Sequence, residues 1–284
     1  MAYSVPVLSP YCLTGLRAAI VAAEIHRASF GRVVRVDYKG LNDVVTDADR
    51  AAEAAIIATI HEAYPDHGVL GEEGGRRGGG PFTWLIDPLD GTFNYARAIP
   101  WFAVSIALER EGQILAGVVL HSILGEAYAA DRGVGAWTAS LRDLPPGSAR
   151  WQDPALWRPL RVRSTGRLSE AVLSTGFPNN VGETRSNVDH FDHLVRSAAK
   201  IRAFGSAALC LAGVAVGRLD GFWELGLNAW DMAAGALLVE EAGGRVTDFR
   251  GRPLDAHGGQ ILATNGRIHD EVVAVLATGR SGLD

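Results

Sequence analysis

Asp87 and Asp90 stand three residues apart in the stretch Trp84 to Trp101, WLIDPLDGTFNYARAIPW. They follow the apolar run Trp84-Leu85-Ile86 and precede Gly91-Thr92. Pro88, between them, fixes its own backbone and pushes Asp87 into an extended conformation. Asp87 is therefore expected at the end of a strand, with Asp90 one turn further on. Both carboxylates, and the Leu89 carbonyl between them, can converge on one point. An all-oxygen donor set suits a hard cation such as Mg²⁺, with water and substrate phosphate completing its ligands. A helix beginning near Thr92 would present free N–H groups to a phosphate. Taken alone, the same residues also fit an Asx turn in which Asp90 caps a helix.

Further acidic motifs stand elsewhere in the chain. They are Asp43-Val44-Val45-Thr46-Asp47-Ala48-Asp49, Gly71-Glu72-Glu73 and Trp230-Asp231-Met232-Ala233-Ala234-Gly235, the last followed by Leu237-Leu238-Val239-Glu240-Glu241-Ala242-Gly243-Gly244. With the Asp87–Thr92 segment, and in this order from about Lys39 to Asn265, they resemble the inositol monophosphatase family, part of the lithium-sensitive, Mg²⁺-dependent phosphatases. The resemblance implies an αβαβα layered sandwich, two or three Mg²⁺ ions per site and a homodimer. It implies that Glu72, Asp87 and the Leu89 carbonyl hold one ion, that Asp87, Asp90 and Asp231 hold a second, and that Glu72 shares a third, weaker one with water. Asp49 and Thr92 match the pair that orients and deprotonates the attacking water. The amides of Gly91 and Thr92 would bind phosphate. Gly205, Ser206, Ala207 and Glu224 match positions that touch the alcohol part of the substrate, which Asp231 also faces.

Phe93-Asn94-Tyr95 and Glu224-Leu225-Gly226 resemble the inositol group within those phosphatases. The expected activity is hydrolysis of an inositol monophosphate, a small phosphorylated polyol. The alternatives are fructose-1,6-bisphosphatase or histidinol-phosphatase activity on the same site, or a regulatory binding protein that retains the fold. The chain departs from the family pattern at Asn228-Ala229 and over residues 140–159. The physical chemistry agrees with the implied roles. Phosphate monoesters are anionic, so an incoming hydroxide must have its repulsion cancelled, and paired divalent ions do this. Carboxylates converging without a cation raise one another's pKa values.

Other candidates have plainer readings. Glu73 is expected to point away from Glu72 by strand alternation, Asp47 to cap a helix, and Asp43 to support the loop bearing Asp49. Lys39 resembles a basic residue that precedes this motif in bacterial relatives, and a solvated lysine fits it equally well. His190 and His193 have zinc-like spacing but no third ligand nearby, so a helix surface is expected. GGRRGGG lacks the ending of a nucleotide-binding loop and is expected to be a flexible lid beside Glu72. Cys210 is expected to pack in an apolar helix, and Ser206 lacks a base to make it a nucleophile.

These residues need elements to carry them. Helical spacing predicts helices at 13–29, after Thr46, and at 186–199, 206–217, 231–242 and 268–277. Strands are predicted at 69–71, 82–87, 101–109, 113–121, 125–130, 160–163, 171–176, 201–204, 219–224, 244–248 and 260–264. Strands first, then alternating helices and strands, imply stacked layers around mixed sheets. The 284 residues, 48% hydrophobic and 21% charged, suit a single domain with an N-terminal half to about 175 and a C-terminal half from 176. A net charge of −5 gives no sign of a nucleic-acid partner. Cys12 and Cys210 form no CxxC pair, and the opening residues lack the pattern of a secretory leader, so a cytoplasmic setting is expected. The longest apolar stretch, 203–217, is shorter than the roughly 20 residues that span a membrane.

Overall fold

The computed structural model describes residues 8–32, 36–40, 43–145 and 147–278. The side chains of Lys39 and Asp43 lie outside the described residues, and so do the expectations attached to them.

Helix α1 (Pro10–Ser29) opens with Ser9, whose hydroxyl accepts from the Cys12 N–H, and with proline at its first position. Proline fits there because that N–H has no helical partner. Helix α2 (Asp47–Ala63) begins in a capping box: the Thr46 side chain and the Asp49 carboxylate each accept from the other's end of the first turn. Thr46, not Asp47, is the cap. Asp47 lies one residue inside the helix and points to solvent. A strand pair, β1 (Val36–Gly40) and β2 (Asp43–Thr46), leads into α2.

The large sheet runs in the order β10-β9-β8-β7-β6-β5-β3-β4. Its strands are β3 (Gly68–Gly71), β4 (Gly75–Arg77), β5 (Phe82–Asp90), β6 (Ala103–Arg110), β7 (Gln113–His121), β8 (Glu126–Asp131), β9 (Gly135–Ser140) and β10 (Arg158–Pro159). Among the described residues of this sheet only β3 and β5 pair in parallel, and the meander from β5 to β9 is antiparallel. After the short helix α3 (Thr92–Ala96), the remaining helices are α4 (Val181–Thr184), α5 (Val188–Ser197), α6 (Ala207–Ala215), α7 (Ala229–Glu241) and α8 (His269–Leu276). The small sheet has the order β12-β11-β13-β15-β14. It is built from β11 (Val172–Thr175), β12 (Lys200–Arg202), β13 (Gly221–Leu225), β14 (Arg245–Thr247) and β15 (Gln260–Thr264).

Strand alternation sorts these residues into layers. Trp84 and Ile86 face α1 and α2 in a core with Leu16, Ile56 and Val118. Leu85, on the opposite face of β5, packs with α6 and α7, which also cover Phe222, Ile261 and Ala263 of the small sheet. The far side of the small sheet, with Leu173, Trp223 and Leu262, is closed by residues of α5 and α8. The molecule is the expected αβαβα sandwich. Its middle layer is thin because small residues meet there. A Cβ on Gly117 of β7 would lie 2.9 Å from the Ala234 carbonyl oxygen of α7, and one on Gly235 would lie 2.4 Å from Leu211 Cβ of α6.

Several local expectations are corrected. GGRRGGG is not all loop, because Gly75–Arg77 pairs with β3. The strand expected at 160–163 is replaced by Arg158–Pro159, where proline supplies no N–H to continue the ladder. Strand β9 was not anticipated. The 140–159 excursion docks through buried Trp151 and Trp157, which join the core beneath α1. His190 is buried, with its ring edge-on to Phe249 at 5.2 Å, while His193 bonds Thr278. Among the described residues, no helix is long and apolar enough to cross a membrane.

His269 gives the fold an acid-sensitive element. It is fully buried, and its two ring nitrogens bond the Thr247 and Thr264 hydroxyls, each at 2.9 Å. Burial, and secondarily the Arg245 charge, lower its pKa to about 4. The unfolded chain takes up this proton near pH 6.5 and the folded chain does not. The stabilisation is therefore complete above that pH and is lost as pH falls toward 4, by about 2 kcal/mol at pH 5. Chemical denaturation should find His269→Gln less stable than wild type at pH 7.5, with the gap narrowing by pH 5. A gap that is constant or widens would contradict this origin.

Candidate active site

Asp87 and Leu85 lie on the same face of β5, so Asp87 projects toward α7 rather than toward α1 and α2. It pairs across the sheet with Ser105, whose hydroxyl donates to the Trp230 carbonyl of α7 at 2.9 Å. The register between β5 and β6 slips between Asp87 and Asp90. That irregularity is the structural effect of Pro88, and it turns both acids to the cavity. Asp87 Oδ1 accepts from the Leu89 N–H at 2.9 Å, which leaves its other oxygen outside this bond. Gly91 then adopts φ 96° and starts α3. A Cβ there would meet the Gly205 and Trp101 carbonyl oxygens at 3.1 Å.

Asp90 joins this loop to α6. Its carboxylate accepts from Ser206 Oγ at 2.5 Å, from the Ala208 N–H at 2.8 Å and from the Ala207 N–H at 3.2 Å. Ser206 also caps α6 through the Leu209 N–H. An anion at a helix N-terminus is favoured by the unpaired N–H groups and the helix dipole. Asp231 stands in the first turn of α7 and accepts from the Asn228 N–H at 2.6 Å.

These residues surround a cavity of about 440 Å³. Glu72, Asp87, Leu89, Asp90 and Asp231 line it, as do Gly91, Thr92, Gly205, Ser206, Ala207 and Glu224. Of the site residues singled out from the sequence, only Asp49 does not. It lies buried beneath Thr92, whose hydroxyl is 3.0 Å from Asp49 Oδ1 and 2.9 Å from the Leu89 carbonyl. The other oxygen of Asp49 accepts from the Thr46 N–H at 2.9 Å and the Thr46 hydroxyl at 2.5 Å. Burial raises the pKa of Asp49 despite these bonds.

The electrostatics are those of crowded acids. Burial, then the charges of Glu72, Asp90 and Asp231, hold the Asp87 carboxyl well above the usual range. Burial pushes Asp90 up to about 6 against the bonds from α6. Burial, with Asp90 and Glu72 adding, pushes Asp231 up to about 8. Burial, then Asp90 and Asp231, pushes Glu224 up to about 8. Among the described residues, no group of at least three acidic, histidine or cysteine side chains forms a ready-made cation cage. The donor set still fits Mg²⁺, a hard cation that takes oxygen ligands and keeps waters in its octahedral shell. Carboxylate oxygens have lone pairs beyond those used by the N–H donors.

Sequence reasoning passed over Glu53 and Phe177, and took Phe93 and Asn94 only as a signature of the inositol group, not as residues that hold this arrangement. Glu53, one turn after Asp49 on α2, is buried and accepts from the Glu73 N–H at 2.8 Å, fixing the turn that carries Glu72. The spacing of four from Asp49 was a readable signal for it. Asn94 donates to the Trp101 and Phe204 carbonyls, both at 2.8 Å, and so ties the α3 loop to the loop before α6. Phe93 and Phe177 add exposed aromatic walls to the cavity.

The model of the inositol monophosphatase family matches residues 9–280. The chain is 42% identical to Nus factor SuhB of Pseudomonas aeruginosa, over 91% of this chain and 92% of that protein. It is 42% identical to inositol-1-monophosphatase of Synechocystis, over 96% and 92%. Among solved structures, the extragenic suppressor protein suhB of Bartonella henselae superposes with a TM-score of 0.85 at 38% identity, covering 96% of this chain and all of that one. Inositol monophosphatase from Anabaena superposes at 0.82 and 36% identity, covering 95% and 96%. With its layers, its acidic cavity and a match along nearly its whole length, the chain belongs to the inositol monophosphatase family.

Proposed function

We propose that this protein is a Mg²⁺-dependent phosphomonoesterase that hydrolyses an inositol monophosphate to inositol and phosphate, as a cytoplasmic homodimer. The observation that carries the reading is the Thr92 hydroxyl bonded to buried Asp49 at the floor of a cavity walled by Asp87, Asp90 and Asp231. Glu72, Asp87 and the Leu89 carbonyl would hold one ion, Asp87, Asp90 and Asp231 a second, and Glu72 would share a third with water. When bound, the ions supply positive charge that offsets the repulsion between phosphate and the incoming water and makes that water more acidic.

The chain's own residues do the rest. Thr92 accepts a hydrogen from the water as its own hydroxyl proton moves toward Asp49. The raised pKa of Asp49 brings its proton affinity closer to neutral pH, where a general base works best. Thr46 holds Asp49 in the orientation for that transfer. The amides of Gly91 and Thr92 face phosphate oxygens. Glu224, with Gly205, Ser206 and Ala207, bounds the space for the alcohol. The relatives named Nus factor SuhB support a second, compatible reading, a binding role on the same fold. A screen of phosphate release from inositol-1-phosphate, fructose-1,6-bisphosphate and histidinol phosphate separates these readings. Inositol-1-phosphate should be turned over best, and no release from any of them would leave only the binding role.

EDTA should abolish phosphate release, Mg²⁺ should restore it, and lithium should inhibit it. Mg²⁺ should also raise the melting temperature, and raise it more at pH 8 than at pH 6. Carboxylates with raised folded pKa values stabilise the fold while protonated and lose that stabilisation as pH rises through about 6 for Asp90 and about 8 for Asp231. The cation therefore relieves most repulsion where the protons have left. Equal melting shifts at both pH values would count against these acids as ligands.

Thr92→Ala should lower turnover on the order of 10²-fold, the usual size of a general-base contribution. The Mg²⁺ concentration for half-activation should change little. Normal turnover at saturating Mg²⁺ would assign the proton transfer elsewhere.

Glu224→Gln should reduce kcat/KM for inositol-1-phosphate more than for p-nitrophenyl phosphate, because a site built to bond hydroxyls discriminates by them. Unchanged kinetics on both esters would remove Glu224 from the alcohol site.

A further inference from the structure

Asn187 touches neither the cavity nor its acids, yet it is fully buried at φ 68°. It occupies the N-cap position of α5 without capping that helix. Its amide is engaged on the other side. Nδ2 donates to Thr175 Oγ1 at 2.8 Å and to the Gly176 carbonyl at 2.6 Å, and Oδ1 accepts from Trp223 Nε1 at 2.7 Å. Thr175 Oγ1 in turn donates to the Trp223 carbonyl at 2.6 Å. One side chain thus ties the far end of the 176–187 loop to both β11 and β13. The tie falls at Trp223, the residue before Glu224, and at Gly176, where the cavity wall begins.

Gly176 is the backbone against which Glu224 packs. A Cβ there would sit 2.3 Å from Glu224 Oε1 and 2.4 Å from Oε2. The place of the Glu224 carboxylate is therefore set by bare main chain on one side and by β13 on the other. Asn187 holds both. A buried amide that uses both its N–H donors and accepts at its oxygen is a rigid strut, because each broken bond would leave a desolvated polar atom.

We infer that Asn187 is a positioning residue for alcohol selectivity: by fixing the Gly176 carbonyl and the Trp223 ring it locks Glu224 in the orientation that meets the leaving alcohol. The inference rests on the proposed role of Glu224. Asn187 acts on recognition of the hydroxyl-bearing alcohol and not on phosphate hydrolysis itself.

The test compares wild type, Asn187→Gly, Asn187→Asp, Glu224→Gln and the Asn187→Gly/Glu224→Gln double variant at saturating Mg²⁺. KM and kcat are measured on inositol-1-phosphate and on p-nitrophenyl phosphate. Glycine accepts the positive φ and removes only the amide. Aspartate keeps an acceptor for Trp223 and loses both donations, and it serves if the glycine variant does not fold. Asn187→Gly should raise KM for inositol-1-phosphate about 10-fold while kcat on p-nitrophenyl phosphate stays within about twofold. Asn187→Asp should lose at least as much selectivity, because it turns a carboxylate oxygen against the Gly176 carbonyl. The double variant should be no less selective than Glu224→Gln alone. Wild-type selectivity in both Asn187 variants, alongside a selective loss in Glu224→Gln, would overturn the inference and leave the role of Glu224 standing. Wild-type selectivity in Glu224→Gln would overturn both. Equal loss on the two substrates, or additive losses in the double variant, would reduce Asn187 to a general packing role.

Discussion

Like charges confined in a low-dielectric recess set the terms for this fold. Asp87, Asp231 and Glu224 would move apart from their acidic neighbours if the chain let them, since each is disfavoured both by lost hydration and by nearby charge. They are held together because the elements that carry them and their neighbours, with Asp87 and Asp90 both on β5 and Glu72 in the turn after β3, are fixed in place by apolar packing elsewhere. Asp87 rides on a central strand of the large sheet and Asp231 on the first turn of α7. Glu224 sits in the small sheet. The hydrophobic contacts between layers supply the stability that the acids consume.

Asp90 has a second structural office. It satisfies the first N–H groups of α6, so the DPLDGT loop and the central helical layer share one anion. Drawing the Asp90 charge toward a cation and keeping α6 capped are then linked, and Ser206 mediates between them. The sequence reading took Ser206 and Ala207 as substrate contacts. The geometry gives them a direct bond to Asp90 in addition to a place on the cavity wall.

The parts that could be read from the sequence were those with local causes. The Pro88 turn and the meander strand Gln113–His121 follow from φ restriction and alternation within a few residues, whereas the cap of α2 was placed on Asp47 and is made by Thr46 with Asp49. Stacked layers around mixed sheets were legible from the order of elements, while the αβαβα arrangement came from the family resemblance. What stayed hidden depends on partners far along the chain. Asn187 carries no local signal, because its partners are Thr175 and Trp223. His190 was expected on a surface because its spacing with His193 said nothing of Phe249. Strand β9 was obscured by the proline-rich excursion after it, although Trp137 and its neighbours alternate.

The close approach of α7 to the large sheet makes the middle layer a gauge block. With Ala234 against Gly117 and Gly235 against Leu211, the helix has no slack on either side, and the distance from Asp231 to Asp87 is inherited from backbone thickness rather than from side chains that could adjust. A cation that needs short bonds to both acids then meets a gap machined by the scaffold. One methyl group added at Gly117, on a strand that does not touch the cavity, would widen that gap as directly as a change in the acids themselves.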